Sequence, residues 1–451
     1  MLKSSYKMDM TSGPLFKKIV LFAVPLMLTS ILQLLYNAAD MIVVGKFAGP
    51  ASFAAVGSTT SLINLIVNLF IGLSMGAGVI AAQAIGAKNK QKLFKTVHTS
   101  ILLSVIVGFV VGVFGILACR YLLVLMASPD DVIDKATLYM RVYFCGMPGF
   151  MVYNFGAAIL RSAGDTKRPL VILAVSGIAN VLLNVIFVLF FKMDVAGVAL
   201  ATIVSQYISA VWVITILVKD NADYKLFISK LHIYKEQLIL IFKFGAPMGI
   251  QSSMFSVSNV IIQSAINSFG TIIMAGNTAA ANIEGFIYAS ANAVAQSAMT
   301  FAGQNTGANR YDRVKKVLFI CTGLACFVSV FLSAIVLVFK QGLLTIYTND
   351  LEIIAAGAKR LTVICLFYGL CGIMDTVANT VRGMGKSLVP MIITLITVCA
   401  MRILWVYTVF AQFKIIDVVY WSYPVTWGLA SVAQIIYFIA VYKSKKPKIK
   451  G

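Results

Sequence analysis

The chain has 451 residues, of which 60% are hydrophobic and 12% charged. Soluble globular chains carry about a quarter charged residues, so a soluble enzyme or nucleic-acid-binding fold is excluded on composition. The net charge of +21 does not restore that reading, because the basic residues sit in short loops between apolar runs rather than in one patch.

Apolar runs long enough to cross a bilayer recur from end to end. In chain order they predict twelve helices, at 17–45, 53–84, 94–118, 134–160, 169–191, 195–218, 238–268, 272–303, 314–339, 354–381, 387–411 and 417–442. The first run follows Lys3, Lys7, Lys17 and Lys18 and is too long for a signal-peptide core. The expected fold class is an all-α membrane protein with twelve transmembrane helices in two parallel-repeat six-helix lobes. The lobes are 1–218 and 238–451, joined by a linker at 219–237.

Alternate connectors differ in charge. The set holding the N-terminus, the 219–237 linker and the Lys443–Lys450 tail carries 27 of the 37 Lys and Arg residues. That asymmetry places both termini in the cytoplasm and the chain in the plasma or inner membrane. Lys359 and Arg360 fall in the opposite, external set. Arg402 is the one basic residue deep inside a span, and it is expected to snorkel towards the outer surface.

The halves repeat at a near-constant offset. Phe22-Ala-Val-Pro25 matches Phe244-Gly-Ala-Pro247. With the offset shortened by one position, Gln83-Ala-Ile-Gly86-Ala87 matches Gln304-Asn-Thr-Gly307-Ala308, and Arg161-Ser-Ala-Gly164 matches Arg382-Gly-Met-Gly385. Six helices per half is an even number, so both halves enter the membrane from the same side. Parallel repeats of this kind are a transporter architecture with the substrate site between the repeats.

The seven cysteines form no CxxC pair, and only His98 and His232 are present, so neither a disulfide framework nor a zinc site is expected. No HExxH, GxGD or Gly-x-Ser-x-Gly signature supports an intramembrane enzyme.

Of sixteen acidic residues, three lie well inside spans: Asp40, Glu284 and Asp375. A carboxylate at that depth is costly and needs a reason. Asp40 is about 9 Å below the external end of its helix, Asn184 about 10 Å and Thr202 about 12 Å below the same surface on two others. Asn180 lies one turn from Asn184. A carboxylate with amide and hydroxyl oxygens is a set that a small hard cation takes, or the carboxylate carries a proton. Asp40 bracing helices through Asn180 and Asn184 is the competing structural role. Glu284, near the middle of the eighth helix, is expected to attract a cationic ligand or take a proton, or else to be a neutral acid bonded to a neighbouring helix. Asp375, Asn379 and Arg382 share one helical stripe, which suits either a substrate contact or an internal link. Tyr36, Met254, Phe255, Phe286 and Tyr288 are candidates for an adaptable binding wall. Pro25 interrupts the hydrogen-bond ladder of the first helix and gives it a hinge.

These residues resemble the MATE family, the multidrug and toxic compound extrusion antiporters, over essentially the whole chain. The resemblance rests on Pro25 with Asn37-Ala-Ala-Asp40, Gln83-Ala-Ile-Gly86-Ala87, Arg161-Ser-Ala-Gly164-Asp165, Asn180-Val-Leu-Leu-Asn184, Gly303-Gln304-Asn305 and Arg382-Gly383. It implies two six-helix lobes exporting bulky, often cationic or aromatic drug-like compounds in exchange for Na⁺ or H⁺. No cofactor and no metal other than Na⁺ at Asp40 are implied. The expected partners are small-molecule substrates and the bilayer, with no nucleic acid, and the chain is expected to act as a monomer. Two departures leave the ion open: the seventh helix reads Ser256-Val-Ser-Asn259 where some members have an acid, and Asn184 stands where some have Asp. The alternative is a lipid-linked saccharide flippase of the same broad superfamily, which would favour a cavity lined with several arginines.

Overall fold

The computed structural model describes residues 8–126 and 129–445. Lys3 and Lys7, and Lys446, Lys448 and Lys450 of the tail, lie outside the described residues. The described chain folds into helices corresponding to the twelve predicted spans. They are α1 (Leu15–Phe47), α2 (Pro50–Gly86), α3 (Lys90–Leu125), α4 (Asp130–Cys145 with Met147–Ser162), α5 (Lys167–Val185, continuing through Ile186–Phe190) and α6 (Asp194–Lys219). The second six are α7 (Lys235–Asn267), α8 (Thr271–Gly307), α9 (Tyr311–Leu344), α10 (Leu351–Leu366 with Tyr368–Gly383), α11 (Leu388–Thr394 onward to Ala411–Phe413) and α12 (Ile416–Lys445).

Among the described residues, nine of these helices are each long and apolar enough to cross a membrane. The two segments of α4 and of α10 pass the same test as pairs, bent by 48° and 49°. The remaining helix, α8, is 37 residues long but rich in Asn, Gln, Ser and Ala, which dilutes its apolarity. The bend in α4 was not expected. Pro148 stands at the start of its second segment and cannot donate to the preceding turn. The bend in α10, at Phe367, has no proline beside it, yet falls at the repeat equivalent of the break at Gly146.

The backbone obeys the same repeat. Gly49 (φ 83°) and Gly270 (φ 89°) open α2 and α8, and Gly164 (φ 91°) and Gly385 (φ 82°) sit after α4 and α10. Each pair keeps the offset of the repeat, and each position requires the left-handed conformation that favours glycine. Lys88 and Asn309 share that offset and that conformation.

The compact units do not coincide with the division expected at 219–237. One unit holds residues up to Asp9 with Ile31–Ser253, and the other holds Met10–Ser30 with the chain from Met254 onward. The units therefore divide within α1 and α7, shortly after Pro25 and Pro247 respectively. Glycine contact is the physical reason in the first unit. A Cβ on Gly249 would lie 1.9 Å from the Leu69 carbonyl oxygen, and one on Gly76 would lie 2.6 Å from the Gly245 nitrogen. Backbones that touch so closely hold the first half of α7 against α2. In the second unit the start of α1 is fixed by Phe22 edge-on to Phe301 at 5.6 Å. Gln304 Oε1 accepts from the Met10 amide (3.3 Å), and Asn305 Nδ2 donates to the Met10 carbonyl (3.1 Å).

The linker is laid along the first unit. His98 Nε2 accepts from the Phe227 amide at 3.1 Å, which assigns the ring proton to Nδ1, facing the Phe94 carbonyl at 2.8 Å. Thr99 Oγ1 accepts from the Tyr234 amide at 3.1 Å. Arg168 bridges Asp165, Asp220 (2.8 Å) and the Tyr224 hydroxyl (2.9 Å). Burial and the hydrogen bond to Asp220 push the Tyr224 phenol above its ordinary range, so it stays protonated as a donor.

Candidate functional site

Within the first unit, α1, α2, α4, α5 and α6 enclose a cavity of about 330 Å³. Its wall is mixed: Gln33, Asn37, Asn64, Asn68, Asn180, Thr202, Ser205, Gln206 and Ser209, with Tyr36, Tyr139, Tyr143 and Tyr153, alternate with the apolar Val67, Ile71, Phe150 and Leu173. Among the described residues Asp40 is the only charged side chain lining it.

The structure brings together all four residues, Asp40, Asn184 and Thr202 expected from depth and Asn180 from helical spacing. Asn184 Nδ2 donates to Asp40 Oδ1. It also approaches Asn180 Oδ1 at 3.4 Å, and Asn180 Nδ2 donates to Thr202 Oγ1 at 3.4 Å. Thr202 in turn donates to the Val198 carbonyl at 3.0 Å, which leaves its lone pairs towards Asn180. Asn184 is fully buried, and its Oδ1 has no hydrogen-bond partner. A buried oxygen without a donor is expensive unless something positive meets it. A carboxylate, an amide oxygen and a hydroxyl in a cavity with no basic side chain suit a small hard cation or a proton.

Tyr36 joins this site rather than a separate wall. Its ring lies against Gly177 of α5, where a Cβ would fall 1.9 Å from Cζ, and its hydroxyl donates to the Ala174 carbonyl at 3.1 Å. Pro25 is buried in α1, which remains helical through it, and Thr29 Oγ1 donates to the carbonyl of Pro25 at 2.7 Å.

At Glu284 the second unit shows the bond to a neighbouring helix, and its partner is Arg360. The carboxylate is clamped by Arg360, with Nε to Oε1 at 2.9 Å and Nη2 to Oε2 at 2.8 Å. The side chains of Arg360 and Glu284 are 6% and 8% exposed. Arg360 Nη1 also donates to Asn277 Oδ1 at 2.6 Å. A carboxylate engaged in a two-pronged pair has no free charge to offer a cationic ligand. Arg360, read from sequence as an external loop residue, lies within the first segment of α10 and is buried. Arg402 is 3% exposed and does not snorkel.

The other expected contacts of this unit divide. Asp375 is half-buried, with Tyr288 and Arg382 as its electrostatic neighbours. Of the expected stripe, Arg382 Nη1 donates to Asn379 Oδ1 at 3.2 Å. Met254, Phe286 and Tyr288 have exposed side chains, whereas Phe255 packs against the core formed by α8, α10 and α12. Phe255 is thus a packing residue. Tyr139, Tyr143, Asn64, Asn68 and Gln206, which line the cavity, were not singled out from sequence. The one available signal was the spacing of Tyr139 and Tyr143, one turn apart on α4.

Twelve helices in two repeats, eleven of them apolar enough among the described residues to cross a membrane, with a cavity in the first unit, define a multi-pass membrane protein of the parallel-repeat transporter class. The family model MatE matches residues 25–186 and again 247–408, so the chain belongs to the MatE family. The two matches begin at Pro25 and Pro247, the prolines that the sequence repeat pairs. The chain is similar to the probable multidrug resistance protein YoeA of Bacillus subtilis, at 27% identity over 96% of this chain and 95% of that protein. Its fold matches the outward-facing conformation of a multidrug resistance MATE family transporter of the MOP superfamily, with a TM-score of 0.92 and 22% identity, covering 98% of this chain and 99% of the other. It also matches a MOP superfamily transporter from Pyrococcus furiosus, with a TM-score of 0.92 and 22% identity over 99% and 100% of the two chains.

Proposed function

We propose that this chain is a secondary active efflux transporter that exchanges Na⁺ or H⁺ for bulky, often cationic or aromatic compounds by alternating access. The observation that carries the reading is the single carboxylate of Asp40 in a cavity whose other described lining side chains are neutral, with Asn180 and Thr202 in the same wall. The names of relatives such as YoeA support drug-like substrates. One charge crossing 100 mV yields about 2.3 kcal/mol, enough for one coupled ion to drive a useful gradient.

In the mechanism, Asn184 orients the Asp40 carboxylate, and Asn180 and Thr202 hold the amide network in register. An ion or proton entering the cavity neutralises Asp40, whose carboxylate Asn184 Nδ2 holds from behind. Tyr36 lies one turn before Asp40 on α1, so a change at the carboxylate is felt by the wall against Gly177. Pro25 provides the point in α1 where such a change becomes a bend. The protein works in the cell membrane as a monomer with both termini cytoplasmic, needs no cofactor and performs no covalent chemistry.

The test is transport by proteoliposomes under imposed Na⁺ and pH gradients applied separately, against a panel of organic cations. Gradient-driven movement of at least one compound supports the proposal. Equal movement with and without both gradients refutes ion coupling.

A further inference from the structure

The outer half of the second unit carries a charge imbalance that the export reading does not use. Arg360 and Arg402 both stack on one ring: their guanidinium carbons lie 5.4 and 4.1 Å from the centroid of Tyr423. One carboxylate, Glu284, serves the pair, and both of its oxygens are committed to Arg360. Around Arg402 the polar contacts are Thr426 Oγ1, which accepts from Nε at 3.2 Å, and the rings of Tyr423 and Trp427, the latter 6.0 Å away. Its other electrostatic neighbours are Cys371, Cys399 and Arg360. Among the described residues no carboxylate lies within ion-pair distance of Arg402; the nearby acid Asp417 is taken by Lys359 at 2.9 Å. A guanidinium has five N–H donors, and one hydrogen bond is accounted for.

A buried arginine at membrane depth without a counter-ion is expensive, and stacking on an aromatic ring recovers only part of the desolvation. The backbone is also unusual here. Arg402 sits in a short α-helical turn, Met401–Trp405, between two π-helical stretches, Leu395–Ala400 and Val406–Phe410. Such widened turns concentrate at functional sites.

We propose that the free N–H groups of Arg402, whose guanidinium is held by Thr426 Oγ1 and by the rings of Tyr423 and Trp427, form a binding site for a monovalent anion inside the second unit; the Thr426 hydroxyl is itself committed to the Ser422 carbonyl at 2.7 Å. The anion supplies the missing negative charge beside the Arg360–Glu284 pair. A halide and the carboxylate of an organic ligand share the required chemistry. The inference stands independently of ion-coupled export and concerns a different unit from Asp40.

The experiment uses the full chain in detergent with Trp212, Trp405 and Trp421 replaced by Phe, leaving Trp427 as the reporter. Iodide is titrated against gluconate at constant ionic strength. The site predicts a saturable component of quenching that chloride competes away. Arg402→Gln abolishes that component, and Arg402→Lys, which keeps the charge, retains it with affinity within about tenfold. Competition by benzoate at least about tenfold stronger than by chloride assigns the site to organic carboxylates, and the reverse order assigns it to free halide. A strictly linear, chloride-insensitive quench in protein that retains Arg402 overturns the proposal, whatever the variants do.

Discussion

Removing Arg360 while keeping Glu284 is the sharpest perturbation of the second unit. The two-pronged pair at 2.8 and 2.9 Å would be replaced by a buried carboxylate near Cys365, Tyr368 and Tyr420, none of them cationic, and the Tyr368 hydroxyl reaches the Glu284 backbone carbonyl. Breaking a buried pair from one side costs about 3–5 kcal/mol, because the surviving charge is left unmatched. Replacing both partners by neutral groups of similar volume costs far less. Arg360→Met alone is therefore expected to lose about 3–5 kcal/mol, and Glu284→Gln combined with Arg360→Met to recover most of it. Reversible unfolding of the purified protein in mixed micelles by SDS, with the wild type, both single variants and the double variant, measures the cycle. A cost below about 1 kcal/mol for Arg360→Met would refute the reasoning, since that is the scale of a solvated pair.

The same pairing predicts that Glu284→Gln slows export of cationic and neutral compounds alike; a loss confined to cations, measured across a substrate panel, would place the carboxylate at the substrate. Gly249→Ala puts a methyl 1.9 Å from the Leu69 carbonyl oxygen and should cost at least about 1–3 kcal/mol in the same unfolding assay, while Gly285→Ala, with open space at its Cβ, should pass unnoticed. Gly177→Ala should displace the Tyr36 ring and reduce transport with little loss of folded protein, and Tyr36→Ala in the same background should make the two effects non-additive. A single cysteine at Asn221 should resist an impermeant thiol reagent in intact cells and react in inverted vesicles; labelling in intact cells would reverse the orientation.

Much of this architecture was legible because it is written in local signals. Apolar length fixed the spans, and the offset of the repeat ties Gly164 to Gly385, which share a left-handed backbone, whereas the matching pair Gly49 and Gly270 carries no flanking motif to reveal it. Asp40, Asn184 and Thr202 were legible because depth along a helix is simple arithmetic, and Asn180 because it lies one turn from Asn184. What depends on which way a side chain turns was not. Lys359-Arg360 reads as a loop doublet, yet Lys359 pairs outward with Asp417 while Arg360 turns inward to Glu284. Adjacent residues on a helix face directions about 100° apart, and only the neighbours decide which is buried. Phe255 and Tyr288 are both aromatic residues on long helices, and contacts alone separate the packing residue from the exposed one. The divisions within α1 and α7 were hidden for a related reason. Gly72, Gly76, Gly245 and Gly249 mark a close crossing only once it is known that they face each other.

The central claim is that Asp40 couples an ion to export. It is tested most directly by comparing wild type and Asp40→Asn in proteoliposomes, reading gradient-driven transport and equilibrium drug binding on the same preparations. Asparagine keeps the size and the hydrogen bonding to Asn184 but cannot take up a proton or neutralise a cation. The account predicts that Asp40→Asn binds compound and inserts normally while gradient-driven transport falls to the level of empty liposomes. Transport at the wild-type rate under both Na⁺ and pH gradients would contradict it.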